Sequence, residues 1–172
     1  MIDQAKRDQA LYNEVQIAHG HVPAPRLYLM REIYVADSDA RARADAHPYL
    51  LQYWELWNRY TQFTRGGNLP DSYDFWRRQA PMLHAMSFDE IIANNMVILG
   101  SAETVASTIL EVASQLDLMG LALIFKLGAM PYDMVERSMS ALGDEVVPRI
   151  RSVLDRDAAS NRAAPAPALH FA

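Results

Sequence analysis

Three short apolar runs, each leading into a helix signal, constrain this chain more than any other feature. They are residues 27–36 (LYLMREIYVA), 96–99 (MVIL) and 121–127 (LALIFKL). The first is rich in β-formers and apolar except at Arg31 and Glu32, as expected of a strand covered on both faces. Asp37 or Ser38 then caps a helix seeded with alanine, with Asp39 placing negative charge in its first turn. The second run enters Gly100-Ser101, where Ser101 is the natural cap of a helix over residues 102–116. Val105, Ile109, Val112 and Leu116 line one face of that helix. The third run leads through Gly128-Ala129-Met130-Pro131 into a helix over residues 132–155, interrupted near Pro148. Strands that alternate with helices of this length pair in parallel through right-handed crossovers. Three of them make an incomplete sheet, with apolar edges that something has to cover.

The remaining segments frame this unit. Residues 3–19 read as a helix stopped by Gly20, and Pro23 and Pro25 break the pattern before the first strand. Pro48 is expected to kink or divide the helix after that strand. Tyr49, Tyr53, Trp54, Trp57 and Tyr60 continue at helical spacing, which suits core packing or an aromatic pocket. Residues 61–90 show no clear period and read as an insertion. Within it, residues 65–71 have turn composition, residues 72–86 hold a short helix, and Ser87 to Glu90 resembles a capping box. Residues 1–155 thus form one unit, and the Ala/Pro-rich tail, residues 156–172, is expected to be disordered.

Composition excludes several classes. The net charge of −5 gives no electrostatic case for nucleic acid or an anionic membrane. The absence of cysteine removes disulfides, thiolate metal sites and a cysteine nucleophile. Residues 118–127 form the longest apolar run, too short to span a bilayer. The first residues lack a signal-peptide core, so a cytoplasmic location is expected. The five histidines are scattered, and His19-x-His21 reads as a solvated helix end. The sequence therefore assigns no catalytic residue and no metal ligand. At 172 residues the chain can build a real core, yet it falls short of the roughly 250 that a closed eight-stranded α/β barrel needs.

Three segments carry a family resemblance. They are Arg31-Glu32-Ile33-Tyr34-Val35-Ala36-Asp37 with its Ala/Arg helix, Val97 to Ala106 (VILGSAETVA), and Gly128-Ala129-Met130-Pro131. The third is followed by Ser138-Met139 and by Glu145-Val146-Val147-Pro148-Arg149. In order and spacing, over residues 27–151, they resemble the bacterial luciferase-like, flavin-dependent monooxygenases. The resemblance implies part of a TIM-type (β/α)8 barrel, about its last three βα units, with the insertion as a lid. It implies reduced flavin mononucleotide (FMN), supplied by a separate reductase, and molecular oxygen for oxygenating a small apolar substrate. The family's flavin phosphate site and catalytic histidine lie mainly in an N-terminal part without counterpart here, so no catalytic residue carries over.

Strand ends and insertion supply the candidate site residues. Gly100 and Ser101 are candidates for cofactor binding, since a strand-to-helix turn can hold phosphate; the alternative is an ordinary cap. Arg65, Tyr73 and Trp76 in the insertion, and Phe125 at a strand end, are substrate or lid candidates. The partner expected is the missing N-terminal barrel half or a second copy of the chain. The alternative function is a non-catalytic α/β partner or binding module that completes its sheet by oligomerisation.

Overall fold

A computed structural model describes residues 2–22, 27–60, 70–116 and 118–163. Seven helices and three strands occupy this length. Helix α1 is Ile2–Ala18, β1 is Leu27–Val35, α2 is Asp39–Tyr60, α3 is Asp74–Ala85 and α4 is Phe88–Ala93. They are followed by β2 (Val97–Gly100), α5 (Ala102–Gln115), β3 (Leu118–Ile124), α6 (Tyr132–Ala141) and α7 (Val147–Ala163). A 3-10 turn, Asp71–Tyr73, precedes α3, and a π-helical turn, Leu142–Val146, joins α6 to α7. Among the described residues no helix is long and apolar enough to cross a membrane.

The sheet is parallel throughout, as the alternation of strands and helices requires, and its order is β2-β1-β3. The strand met first in the chain is therefore central. Consecutive strands of a closed barrel are neighbours; here β2 and β3 are separated by β1, and the sheet is open. With β2 on one side of β1 and β3 on the other, right-handed connections place α2 and α5 on opposite faces. Burial agrees with that. Tyr34, Val97 and Leu99 pack with Ala42, Ala46 and Leu50 of α2, together with Leu127, Met130 and Val135. Ile33, Val35 and Ile98 pack with Ala102, Val105, Ala106 and Ile109 of α5, and with Val146. The alternation along β1 thus serves two separate cores, one per face.

Several local expectations shift. The third strand lies three residues earlier than the apolar run suggests, and Gly120 sits inside it. A Cβ at Gly120 would lie 2.9 Å from Cε1 of Tyr28, so the Tyr28 ring rests where a side chain would stand. A register irregularity falls at this point, between Leu27 and Tyr28. Leu127 is fully buried in the turn after β3, so an apolar run marks burial without specifying strand. Pro48 does not divide α2; it and Ala44, whose carbonyl loses its partner, lie on the exposed side, where water can serve. The break expected near Pro148 is the π-helical turn just before it, where Val147 N donates to the Leu142 carbonyl. Widening the helix there accommodates a residue that lacks an N–H. The guanidinium of Arg149 donates to the Glu145 carbonyl at 2.8 Å.

The insertion is largely helical from residue 71 onward, and the Ser87–Glu90 capping box is formed. Helix α7 continues to Ala163, through positions expected to belong to the tail, because Ala158 and Ala159 favour helix. Residues 164–172 lie outside the described residues.

Leu50 is fully buried between α2 and the sheet. Leu50→Ala is expected to lower unfolding free energy by about 2–5 kcal/mol. A urea titration followed by far-UV circular dichroism checks this; a loss under about 1 kcal/mol would show that α2 does not pack as described.

Candidate functional site at the carboxyl ends of the strands

In an open parallel sheet, ligands bind beyond the carboxyl ends of the strands, at the point where strand order reverses. Here those ends are Ala36 to Asp39 after β1, Gly100-Ser101 after β2, and Phe125 to Pro131 after β3.

The turn after β2 is drawn tight around Asp39. Asp39 Oδ1 accepts from Ser101 N at 2.7 Å, and Oδ2 accepts from the Thr104 hydroxyl at 2.9 Å. The Ser101 hydroxyl accepts from Thr104 N at 3.3 Å, which caps α5. Gly100, at φ 157°, makes this approach possible: a Cβ there would meet Asp39 Oδ1 at 2.7 Å and Thr104 Cγ2 at 2.8 Å. The backbone N–H of Ser101 and the Thr104 hydroxyl hold the Asp39 carboxyl below its ordinary value. Gly100 and Ser101 therefore stand at the strand-to-helix turn that the sequence indicates, with the chain's own carboxylate at the amide that a phosphate would use.

Beyond β1 and α6 lies a cavity of about 540 Å3 lined by Asp37, Asp133, Glu136, Arg137, Ser140, Ala141, Asp144 and Glu145. Five of these are carboxylates, and the guanidinium of Arg137 donates to Asp133 at 2.8 Å. Below it the fully buried Ser138 accepts the Val35 N–H at 2.8 Å, on the side of β1 that β3 no longer reaches. That hydroxyl continues the ladder where the strand pairing stops.

On the other face, the buried Tyr34 donates to Asp45 at 3.1 Å, and Arg41 Nε donates to the same oxygen at 2.8 Å. Burial first, and the Asp45 carboxylate second, push the Tyr34 phenol up to about 12, so it stays a donor. Tyr53 is also raised, mainly by burial and secondly by Glu32 of the central strand. Phe125 is half-buried and packs against both cores, at the hinge between β3 and its following turn. Lys126 donates to the Met130 carbonyl, with its ammonium 4.8 Å from the Tyr132 ring centroid.

The insertion candidates are placed separately. Tyr73 ends the 3-10 turn and is 40% exposed, and Trp76 lies in α3. Arg65 lies outside the described residues. The structure brings Gly100 and Ser101 together with Asp39 and Thr104. In the sequence Asp39 stands out only as a favourable charge in the first turn of its own helix. Its reach to a turn 62 positions away carries no sequence signal.

These residues do not fit the phosphate of a flavin mononucleotide. The amide at the start of α5 serves Asp39, the first turn of α6 carries Asp133, and the cavity beside it is acidic. The nearby cations Arg41, Arg137 and Lys126 already serve Asp45, Asp133 and the Met130 carbonyl. Among the described residues no group of three or more acidic or histidine side chains is arranged to hold a metal ion.

No family model matches the chain, and no curated protein matches it in sequence. The structure is similar to the monooxygenase RslO1 from Streptomyces bottropensis, with TM-score 0.58 and 17% identity, over 86% of this chain and 38% of that one. It is also similar to the oxygenating constituent of 3,6-diketocamphane monooxygenase from the CAM plasmid of Pseudomonas putida. That protein is a type II Baeyer-Villiger monooxygenase in complex with FMN; the TM-score is 0.56 at 20% identity, over 87% of this chain and 41% of that one. At these identities the likeness is one of fold. The chain spans about two-fifths of the length of both structures.

Asp39→Ala removes both hydrogen bonds at the start of α5 and is expected to cost about 1 kcal/mol near neutral pH. Because the folded carboxyl titrates below its ordinary value, its contribution is present above about pH 4 and is lost as pH falls through the lowered value. Chemical denaturation of both proteins across the acid range checks this. A difference that stays constant down to the lowest pH would show that the carboxylate contributes nothing.

Proposed function

We propose that this chain is the C-terminal portion of a luciferase-like, flavin-dependent monooxygenase. With the rest of that enzyme it uses reduced FMN and oxygen to oxygenate a small apolar substrate. The observation that carries the reading is the fold likeness to two monooxygenases, one of them an FMN complex, over about two-fifths of their length. The in-order segments from Arg31, Val97 and Gly128 agree with it. On this reading the FMN phosphate is held by a part of the enzyme outside this chain. The chain supplies wall and lid: Phe125 at the end of β3, and Arg65, Tyr73 and Trp76 from the insertion, on the substrate side. Gly100 and Ser101 shape the rim next to the flavin rather than gripping its phosphate, because Asp39 already takes the Ser101 amide. A cytoplasmic setting with a separate flavin reductase belongs to the same proposal, and the isolated chain is inactive.

The second reading is a non-catalytic α/β binding module. The engagement of Asp39, Arg41, Arg137 and Lys126 by their own chain favours it.

A covalent chimera separates the two. This chain replaces the matched part of the 3,6-diketocamphane oxygenating constituent within one polypeptide. The monooxygenase reading expects the chimera to bind FMN, by fluorescence quenching, and to oxygenate substrate when a reductase is added. A folded chimera that binds no FMN favours the module. Separately, the unfused chain is expected to bind FMN with a Kd on the order of 100 μM or weaker. Low-micromolar binding by the chain alone would place the phosphate site within it.

A further inference from the structure

Helices α5 and α7 pack against one another, and a groove of about 570 Å3 lies between them. Its apolar lining is Ala106 and Leu110 from α5 with Pro148 and Val153 from α7. Leu110 and Val153 are only half-buried, so both leave apolar surface in the groove. Ser107 and Ser152 face each other's helix across it; both are small and exposed, which leaves room for a second backbone. Glu103, Asp144 and Glu145 add charge at the same groove. The two cations beside them are held by α7 itself. Arg149 donates to the Glu145 carbonyl at 2.8 Å, and Arg156 donates to the Ser152 carbonyl at 3.2 Å. Helix α7 ends at Ala163, and residues 164–172 (APAPALHFA) follow outside the described residues. That segment is apolar, carries two prolines, and has His170 as its one ionisable side chain.

We propose that residues 164–172 fold back along α7 and fill the α5–α7 groove as an intramolecular strap. Three observations argue for this occupant. The first is length. Arg149 lies about 21 Å back along α7 from Ala163, and residues 164–172 reach about 28 Å as polyproline II. The second is shape and polarity. Pro165 and Pro167 disfavour helix at Ala164 and Ala166, so the chain leaves α7 extended and loses little entropy on docking. Side chains of an extended chain alternate. Leu169 and Phe171 therefore share one side and lie against Leu110, Pro148 and Val153, while His170 turns to the rim. The third is charge, since a protonated His170 meets the carboxylates of Glu103, Asp144 and Glu145. A segment of this composition stays disordered when it has no surface to bury against, and the groove supplies one. Docked there, the strap ties α7 to the helix that packs on Ile33 and Val35 of the central strand. The inference does not depend on the chain's being part of a monooxygenase.

The absence of cysteine makes the test direct, because Ala172→Cys gives the full chain a single site for a nitroxide label. Paramagnetic broadening of backbone amide signals then reports where the segment lies. The strap expects broadening that is stronger at Ser107 and Arg149 than at Arg156, which is nearer the end of α7. Phe171→Asp removes an apolar anchor from the strap, and Ser107→Trp fills the groove from an exposed position. Each is expected to cut the broadening at Arg149 at least five-fold while the circular dichroism spectrum stays unchanged. Ala113→Trp, also exposed on α5 but outside the groove lining, is expected to leave it intact. A sample that mixes labelled chains with isotope-enriched unlabelled ones separates the strap from exchange between copies, and no broadening is expected in it. Three results overturn the proposal: broadening that falls steadily from Arg156 to Arg149, broadening that survives both Phe171→Asp and Ser107→Trp, or broadening that passes between molecules.

Discussion

Strand β1 pairs with β3 along its amino half and with β2 along its carboxyl half, where Ile33, Tyr34 and Val35 are buried on both faces, and the other elements of the sheet unit are placed by it. Its alternation sends Tyr34 toward α2 and sends Ile33 and Val35 toward α5. At that carboxyl half the strand has no solvated face to satisfy stray polar groups. The Val35 amide, beyond the reach of β3, is met by a buried hydroxyl from α6. The two charged residues in its middle are likewise tied down. Arg31 donates to the Asn95 carbonyl at 2.7 Å, across the turn that leads into β2, and its burial lowers its pKa. Glu32 is engaged by Tyr53 of α2. Polar groups in the central strand thus fasten it to neighbouring segments instead of leaving buried charge unpaired.

The same economy governs the carboxyl ends of the strands. A strand running into a glycine, a capping serine and a helix is a ready place for an anion. This chain places its own anion there, from the first turn of a different helix. Asp39 ties the start of α2 to the start of α5, on opposite faces of the sheet, so the contact holds the layers in register around β1. That explains the glycine at position 100: any larger residue would push the carboxylate away. The contact also separates this turn from one free to receive a phosphate, although both would look alike in sequence.

Local chemistry was legible where the deciding partners are close in sequence. The Ser101 cap, the Ser87–Glu90 box and the apolar face of α5 involve residues within one or a few turns of each other. Parallel pairing was also legible, because the segments between strands are too long and too helical for hairpins. Strand order was not. Nothing in the runs at 27–36, 96–99 and 121–127 says which strand is central, since all three are apolar enough to be covered twice. The bounds of β3 differ from those of the apolar run for a related reason. Leu127 is as buried in a turn as it would be in a strand, while Gly120 belongs to the ladder because a tyrosine ring from β1 needs the space. In the insertion, the short helix expected over residues 72–86 is formed as α3, and it runs through Pro81.

By itself the sequence determined an α/β chain with parallel strands, capped helices and no thiol chemistry, and it carried the family resemblance that the fold likeness then supported at the level of architecture. Those properties follow from residue type and spacing, which act within a few turns of chain. Only the tertiary structure decided that β1 is central, that Asp39 fills the turn at Ser101, that Ser138 completes the ladder, and that no described strand pairs with the outer edge of β3. Each depends on residues tens of positions apart meeting at a specific distance. Hydrophobic pattern rewards burial of any kind and does not choose among partners; hydrogen-bond geometry does, and it exists only once the chain has folded.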